Sequence, residues 1–296
     1  MIDQPETAPN AAPDTTFDCD CLVLGGGPGG YSAAFRAADL GLRTILVERY
    51  AALGGVCLNV GCIPSKALLH VGAVIDAARE LAGHGITFGE PVIDLDRVRG
   101  WKDAAVGRLT GGLAAMAKAR RVTVICGVAT FTDPHTVAVA TADGTRALRC
   151  AHVILAAGSR AARLPQLPDD PRILDSTAAL TLPLRPGRLL VVGGGVIGLE
   201  LGTVYSTLGA RLDVVEATDH LMPGADRDLV GVWQRFNRAR FDRVLLQTRL
   251  GSVATRPDGV LVRFDGAQAP SEPVLYDAVL VATGRIAHGG TLGLEP

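Results

Sequence analysis

Residues 19–30 read Cys-Asp-Cys-Leu-Val-Leu-Gly-Gly-Gly-Pro-Gly-Gly, and the run Gly25 to Gly30 at its end decides the fold. The short apolar stretch Cys19 to Leu24 leads straight into the glycines. A helical pattern follows (Tyr31, Ala34, Ala37, Ala38), and Gly41 closes it. Thr44 to Val47 is a second strand, and it ends at Glu48. Strand, glycine turn, helix, strand and acid make up one half of a dinucleotide-binding α/β fold. Gly25 makes the tight turn, Gly27 lets the backbone approach a pyrophosphate, and Gly30 lets the helix pack close to the strand. The helix N-terminus then faces the phosphates. Glu48, 18 residues after Gly30, can accept hydrogen bonds from ribose hydroxyls. A glycine-rich turn without a ligand is the competing reading, and the two strands and the spaced acid count against it.

The pattern occurs twice. Leu189 to Val192 is a strand, Gly193-Gly194-Gly195-Val196-Ile197-Gly198 repeats the turn, and Leu199 to Leu208 continue as helix. Arg211 to Val215 is the next strand and ends at Glu216, again 18 residues after the last glycine. Each half closes on Ala-x-Gly. Val153 to Leu155, read as a buried strand, lead into Ala156-Ala157-Gly158, and Ala278 to Val281 lead into Ala282-Thr283-Gly284. Two such units imply two dinucleotide sites. The expected class is α/β, with two Rossmann-like three-layer domains.

Gly54 to Lys66 read Gly-Gly-Val-Cys-Leu-Asn-Val-Gly-Cys-Ile-Pro-Ser-Lys. A regular helix would separate Cys57 and Cys62 by roughly 7–8 Å along its axis, whereas a disulfide wants about 4.4–6.8 Å. An irregular turn is therefore expected here, permitted by Asn59 and Gly61. Pro64 suits the first position of the helix that follows. Cys62 then lies at a helix N-terminus, where partial positive charge favours a thiolate, and Lys66 lies on the same helical face. The stretch reads as a catalytic disulfide that opens to a dithiol. Two unrelated buried cysteines are the other reading.

The rest of the chain is ordered around these three segments. Helices are expected from Pro64 to about Leu81, ended by Gly83 and Gly85, and from Asp94 to Lys118. Val122 to Cys126, Thr136 to Ala140 and Ala147 to Cys150 read as a small antiparallel excursion. Pro165, Pro168 and Pro171 mark a connector. The expected organisation is a disordered leader at 1–16, a first dinucleotide-binding domain with the redox pair at 17–160, a connector at 161–187, a second dinucleotide-binding domain at 188–288, and the start of a return to the first domain at 289–296.

Twenty-nine basic residues balance 30 acidic ones, with no basic block, so nucleic acid is a poor partner. The longest apolar run, Leu189 to Leu199, is broken by glycines and falls short of the ~20 residues of a membrane span. No signal peptide is read at the start. A redox pair in an otherwise reduced protein fits the cytosol. Cys19, Cys21, Cys126 and Cys150 read as buried structural thiols, and no metal ligand set is expected.

With two dinucleotide turns and a redox pair, the chain from about Phe17 onward resembles the two-dinucleotide (class I pyridine nucleotide) disulfide oxidoreductases. Val56, Ile63 and Ser65 match the lipoamide type. Glutathione and mercuric reductases more often carry Thr and Val at the first two of these positions. The resemblance implies FAD and NAD as cofactors. Gly25, Gly27, Gly30 and Glu48 would bind the ADP half of FAD, Ala129 and Gly158 would touch it by backbone, and Lys66 would sit beside the flavin ring. Cys57 would exchange with dihydrolipoamide and Cys62 would face the flavin. Gly193, Gly195, Gly198, Glu216, Leu250 and Gly284 would line the NAD site, with Glu200 at the nicotinamide end. The implied partner is dihydrolipoamide carried on a lipoyl domain of a 2-oxoacid dehydrogenase complex, in a family that is homodimeric.

The sequence also departs from that family. Ala287 and His288 replace the Pro and Asn usual after the Gly-Arg pair. The family continues past this point with an aspartate that binds the flavin side and an interface domain that supplies a His-Glu acid/base pair. These are expected to be absent from the 296 residues, with turnover impaired. His70, His84, His135, His152, His220 and His288 lie outside that His-Pro context and read as surface or strand histidines. A non-catalytic nucleotide-binding remnant, another disulfide reductase and an NADH oxidase remain open as alternatives.

Overall fold

A computed structural model describes residues 17–294. The leader expected at 1–16 lies outside the described residues, as do residues 295 and 296. The first half of the chain contains β1 (Cys19–Leu24), α1 (Pro28–Asp39), β2 (Thr44–Glu48), α2 (Gly55–Val60), α3 (Cys62–Glu80), α4 (Leu95–Ala119), β3 (Thr123–Cys126), β4 (Val128–Asp133), β5 (Thr136–Thr141) and β6 (Gly144–Leu155). The second half contains β7 (Ser159–Ala161), β8 (Ile173–Asp175), α5 (Ser176–Ala179), β9 (Arg188–Val192), α6 (Val196–Thr207), β10 (Arg211–Val215) and α7 (Arg227–Asn237). It closes with β11 (Phe241–Leu245), β12 (Thr248–Arg256), β13 (Gly259–Gly266), β14 (Val274–Tyr276), β15 (Ala278–Val281) and β16 (Arg285–Ala287). The described residues form two compact units. One holds 17–54, 112–158 and 288–294; the other holds 55–111 and 159–287.

The first unit is built on a six-stranded sheet of order β3-β2-β1-β6-β5-β4. Its β1, β2 and β3 run parallel, and β1 also pairs in parallel with the end of β6. The earlier part of β6 turns antiparallel to β5, so one long strand belongs to both halves of the sheet. Ala34, Phe35 and Ala37 are the buried face of α1, and two of them are small enough for close approach to the strands.

The second unit is a parallel five-stranded sheet, β11-β10-β9-β15-β8. Strand β15 is an unbroken apolar run, and β9 is one after Arg188, as expected for parallel strands buried on both faces. On one face Leu189, Val191, Leu212 and Leu280 pack with Leu199 and Val204 of α6 and Leu68 of α3. On the other, Leu190, Val192 and Val281 pack with Val260, Val262 and Phe264 of the antiparallel sheet β12-β13-β14. Helices, main sheet and small sheet make three layers. Asp213, fully buried in β10, is answered by Arg188 at 3.1 Å, Arg243 at 2.8 Å and the Tyr276 hydroxyl at 2.7 Å. Removing one partner of such a buried charge costs more than the pair itself contributes.

Several expectations change. Thr123–Cys126 is a parallel edge strand beside β2, not part of the antiparallel excursion. The excursion is instead β4, β5 and the first part of β6, and β4 was not anticipated because its pattern alternates only weakly. The strand ending at Leu155 is not buried, for Ile154 is 38% and Leu155 49% exposed. Residues 161–187 contain β8 and α5, and β8 pairs with β15 in the second sheet. Residues 55–111, read from sequence with the first domain, group with the second unit. Pro64 is the third residue of α3, not the first, but it still lies in the first turn, where a missing N–H costs no helical hydrogen bond. The stretch Gly55–His84 contains an 18-residue window with a mean hydropathy of 1.4 and is, by length and composition, apolar enough to cross a membrane. Counting unbroken apolar runs overlooked it. It is interrupted at Gly61, and Leu68 packs in the core with α6.

Candidate dinucleotide and dithiol sites

In the first unit Gly25 has φ +106°, and a Cβ there would lie 2.2 Å from the Ala156 carbonyl oxygen. A Cβ on Gly30 would lie 1.7 Å from the Gly25 carbonyl oxygen, so the helix passes over the turn only because that atom is missing. Gly27 is the N-cap of α1, and Pro28 occupies the first helical turn. The buried Glu48 carboxylate accepts from the Gly26 N–H at 2.6 Å and the Tyr50 N–H at 3.1 Å. This anchors the carboxylate at the carboxyl end of β2, beside the turn.

The second unit repeats the device. Gly193 has φ +105°, and its Cβ would lie 2.5 Å from the Ala282 carbonyl oxygen; a Cβ on Gly198 would meet the Gly193 carbonyl oxygen at 2.3 Å. Gly195 caps α6, and around a Cβ there the space is open. Glu216 accepts from the Gly194 N–H at 2.7 Å, the Thr218 N–H at 2.9 Å and the Thr218 hydroxyl at 3.0 Å. Burial works against its ionisation, but these hydrogen bonds outweigh burial and hold the carboxyl below the ordinary glutamate range. The middle glycines, Gly26 and Gly194, were missed from sequence. The signal for them was the third glycine that both turns share.

The dithiol segment belongs to the second unit. Cys57 lies in the short helix α2, the chain breaks at Gly61, and Cys62 starts α3. A Cβ on Gly61 would stand 2.7 Å from the Val56 carbonyl oxygen, which is what makes the break a glycine position. Both cysteines are free thiols; Cys57 is half-buried and Cys62 exposed. The two side chains are hydrogen-bonded to each other. Burial first, and then that hydrogen bond, push the Cys57 thiol up, while Lys66 and the Cys62 N–H pull it down. Lys66 Nζ donates to both oxygens of Glu200 on α6, at 2.7 and 2.8 Å, and the Ser65 hydroxyl reaches the same carboxylate at 3.5 Å. Sequence reading named Lys66 and Glu200 separately, but not as a pair 134 residues apart.

Ala129 is buried in β4, and Leu250 lies on β12 beside a register shift. Gly158 and Gly284 both have positive φ, +70° and +144°, and open space where a side chain would stand. Cys19, Cys21 and Cys150 are buried, and burial pushes the Cys19 thiol up to about 12. Cys126 is exposed rather than buried, because it ends an edge strand.

A family model described as pyridine nucleotide-disulphide oxidoreductase matches residues 19–294. The chain belongs to this family. Its members use FAD and NAD. The chain is 53% identical over 275 residues to a dihydrolipoyl dehydrogenase of Vibrio cholerae, covering 93% of the chain and 58% of that protein. It is 54% identical over 281 residues to a dihydrolipoyl dehydrogenase of Haemophilus influenzae, with the same coverage of 93% and 58%. Among solved structures it resembles the Cu(II) complex of the HOCl-induced flavoprotein disulfide reductase RclA of Escherichia coli. That match has a TM-score of 0.78 and 25% identity, and covers 93% of the chain and 58% of the other protein. The chain therefore spans somewhat over half the length of the relatives it matches.

Proposed function

We propose that the chain is the dinucleotide- and dithiol-bearing part of a dihydrolipoyl dehydrogenase-type flavoprotein. The observation that carries the reading is the duplicated glycine turn with its anchored acid, in a chain that also holds the hydrogen-bonded pair Cys57 and Cys62. In the oxidised enzyme Cys57 and Cys62 form a disulfide. A dihydrolipoamide thiolate attacks Cys57, the Cys57–Cys62 bond breaks and Cys62 leaves as thiolate; the second substrate thiol then attacks the mixed disulfide, closing the lipoamide disulfide and expelling Cys57. Two electrons and two protons pass to the cysteine pair. FAD, when bound, supplies the two-electron acceptor between this dithiol and NAD+.

The residues present fit both groups. Gly25, Gly27, Gly30 and Glu48 would hold the ADP half of FAD, and Ala129 and Gly158 would touch the flavin nucleotide by backbone. Gly193, Gly195, Gly198, Glu216, Leu250 and Gly284 would line the second site, for NAD. A carboxylate at Glu216 accepts from a ribose 2′-hydroxyl and repels a 2′-phosphate, which favours NAD over NADP. Lys66 brings positive charge near the pair, and Glu200 neutralises and orients it. The substrate is dihydrolipoamide on a lipoyl domain of a 2-oxoacid dehydrogenase complex, and the compartment is the cytoplasm. The test is a purified chain saturated with FAD and titrated with NADH under anaerobic conditions, with thiol labelling before and after. Flavin bleaching, with new label confined to Cys57 and Cys62, is expected. An equal gain of label at Cys126 on reduction, or no flavin retained by a folded chain, would overturn it.

A further inference from the structure

The second unit carries a cavity that this chemistry does not use. It opens between α7, the edge strand β11 and the loop after β10, with a volume of about 320 Å³. Its apolar wall is Leu221, Trp233, Phe241 and Val244, and the rings of Trp233 and Phe241 lie 5.8 Å apart. Arg235 and Arg238 stand at its mouth, both exposed. Neither guanidinium has a hydrogen-bond or carboxylate partner among the described residues. The neighbouring arginines differ. Arg227 is bonded to the Leu221 carbonyl, Arg240 to Asp76 and Arg243 to Asp213. Arg235 folds back over Gly231, its Nη1 lying 3.8 Å from where a Cβ would be. The two free guanidinium groups of this region are thus the two at the cavity.

An apolar floor with two free guanidinium groups at the rim suits one ligand chemistry: an apolar body ending in a carboxylate. Guanidinium pairs with carboxylate bidentately. The volume lies at the small end of ligand sites, which fits a single acyl chain or ring. Leu221 connects the cavity to the second glycine turn. Its Cδ2 lies 2.4 Å from where a Cβ on Gly194 would be, and the next residue, Met222, donates its N–H to the Gly194 carbonyl at 2.9 Å. Gly194 in turn donates to Glu216.

We propose that this cavity binds a small apolar carboxylate and that its occupancy, through Leu221 and the Gly194 turn, changes the affinity of the second unit for dinucleotide. The coupling rests on the dinucleotide reading above; the binding does not. Trp101 and Trp233 are the two tryptophans of the chain, so a Trp101→Phe variant leaves Trp233 as the single fluorescent reporter, on the cavity wall. Titration of that variant with octanoate should change Trp233 emission saturably, and 1-octanol at equal concentration should not. The double variant Arg235→Gln/Arg238→Gln, which alters only exposed side chains, should weaken octanoate at least ten-fold. Saturating octanoate should shift the NADH dissociation constant at least two-fold. A missing response, a response that survives the double substitution, or saturation by a Leu/Glu-rich peptide without any by octanoate would overturn the site. Octanoate binding with an unchanged NADH constant would overturn the coupling. A chain that binds no NADH at all fails the dinucleotide reading, and the octanoate titration still decides the site.

Discussion

The two glycine turns are nearly superimposable in their reasons. Gly25 and Gly193 have φ of +106° and +105°, Gly30 and Gly198 each sit against the carbonyl of the first glycine, and Glu48 and Glu216 each hold the N–H of the middle glycine. The strands that enter the two Ala-x-Gly corners are not alike. All four residues of β15 are buried, between the helical layer and the small antiparallel sheet. At the end of β6, Ile154 and Leu155 are 38% and 49% exposed. The turn is therefore a local device, fixed by backbone contacts within one strand-turn-helix-strand unit. How thoroughly the sheet behind it is covered is a separate matter, and it differs between the units.

The sharpest way to break the comparison is at the turns. Gly30→Ala and Gly198→Ala each place a methyl group against a backbone carbonyl that cannot swing aside. Each should cost about 3 kcal/mol or more, roughly a 100-fold loss of binding at its own site. Gly30→Ala should abolish flavin loading and leave NADH titration intact, and Gly198→Ala should do the reverse. Gly29→Ala is the control, since a Cβ there meets nothing within 4 Å. If Gly30→Ala loads flavin as well as the parent chain, the close approach does not matter.

Next in size is the contrast in burial. Leu190 is fully enclosed in β9, and Leu190→Ala should cost about 2–5 kcal/mol. Ile154→Ala, at a half-exposed position, should cost within about 1 kcal/mol. Urea unfolding of both variants measures the difference. Equal losses would mean that Ile154 is covered in solution.

The turns were legible because glycine leaves no choice: positive φ and a carbonyl at 2.2 Å exclude a side chain, and the acid 18 residues on is fixed by one helix and one strand. The break at Gly61 was legible for the same reason. What escaped was set by partners distant in sequence. The β3 stretch alternates like an edge strand, and only β2 makes it parallel. The pair Lys66 and Glu200 depends on α3 packing against α6, which no local pattern announces. Ile154 and Leu155 are apolar and were read as buried, but burial belongs to the neighbouring layers and not to the residues. Cys126 was misread by the same habit.

A smaller effect separates the two acids. Glu48→Gln and Glu216→Gln both retain one acceptor oxygen for the middle-glycine N–H. Losing the charge should weaken each site by about 1.4 kcal/mol, or roughly ten-fold, in line with hydrogen bonds to charged groups. Only Glu216→Gln should also narrow the preference for NADH over NADPH, since it removes the repulsion of a 2′-phosphate. Parallel NADH and NADPH titrations of the two variants decide this. A preference that narrows equally in Glu48→Gln would mean the nicotinamide cofactor reads the first acid.

The smallest effect is on pH. The hydrogen bonds from Thr218 and Gly194 overcome burial and keep the Glu216 carboxyl ionised below the ordinary value of 4.5. A group depressed in the folded state contributes its stabilisation fully above the unfolded value and loses it as pH falls through the folded one. The second unit should therefore weaken as pH drops below about 4.5. Asp170, held at about 2 by Arg172, adds to the same slope at lower pH. It is unchanged in Glu216→Gln, so its share cancels in the difference between the two chains. The variant should be less stable than the parent near neutrality, because a neutral amide gains less from the Thr218 donors than a carboxylate does. That gap should close as the parent's own carboxylate is protonated. Thermal unfolding of both chains at steps between pH 7 and pH 3 follows the gap directly. If it stays constant across the range, the hydrogen bonds at Glu216 do not favour the charged form, and the acid serves the turn by shape alone.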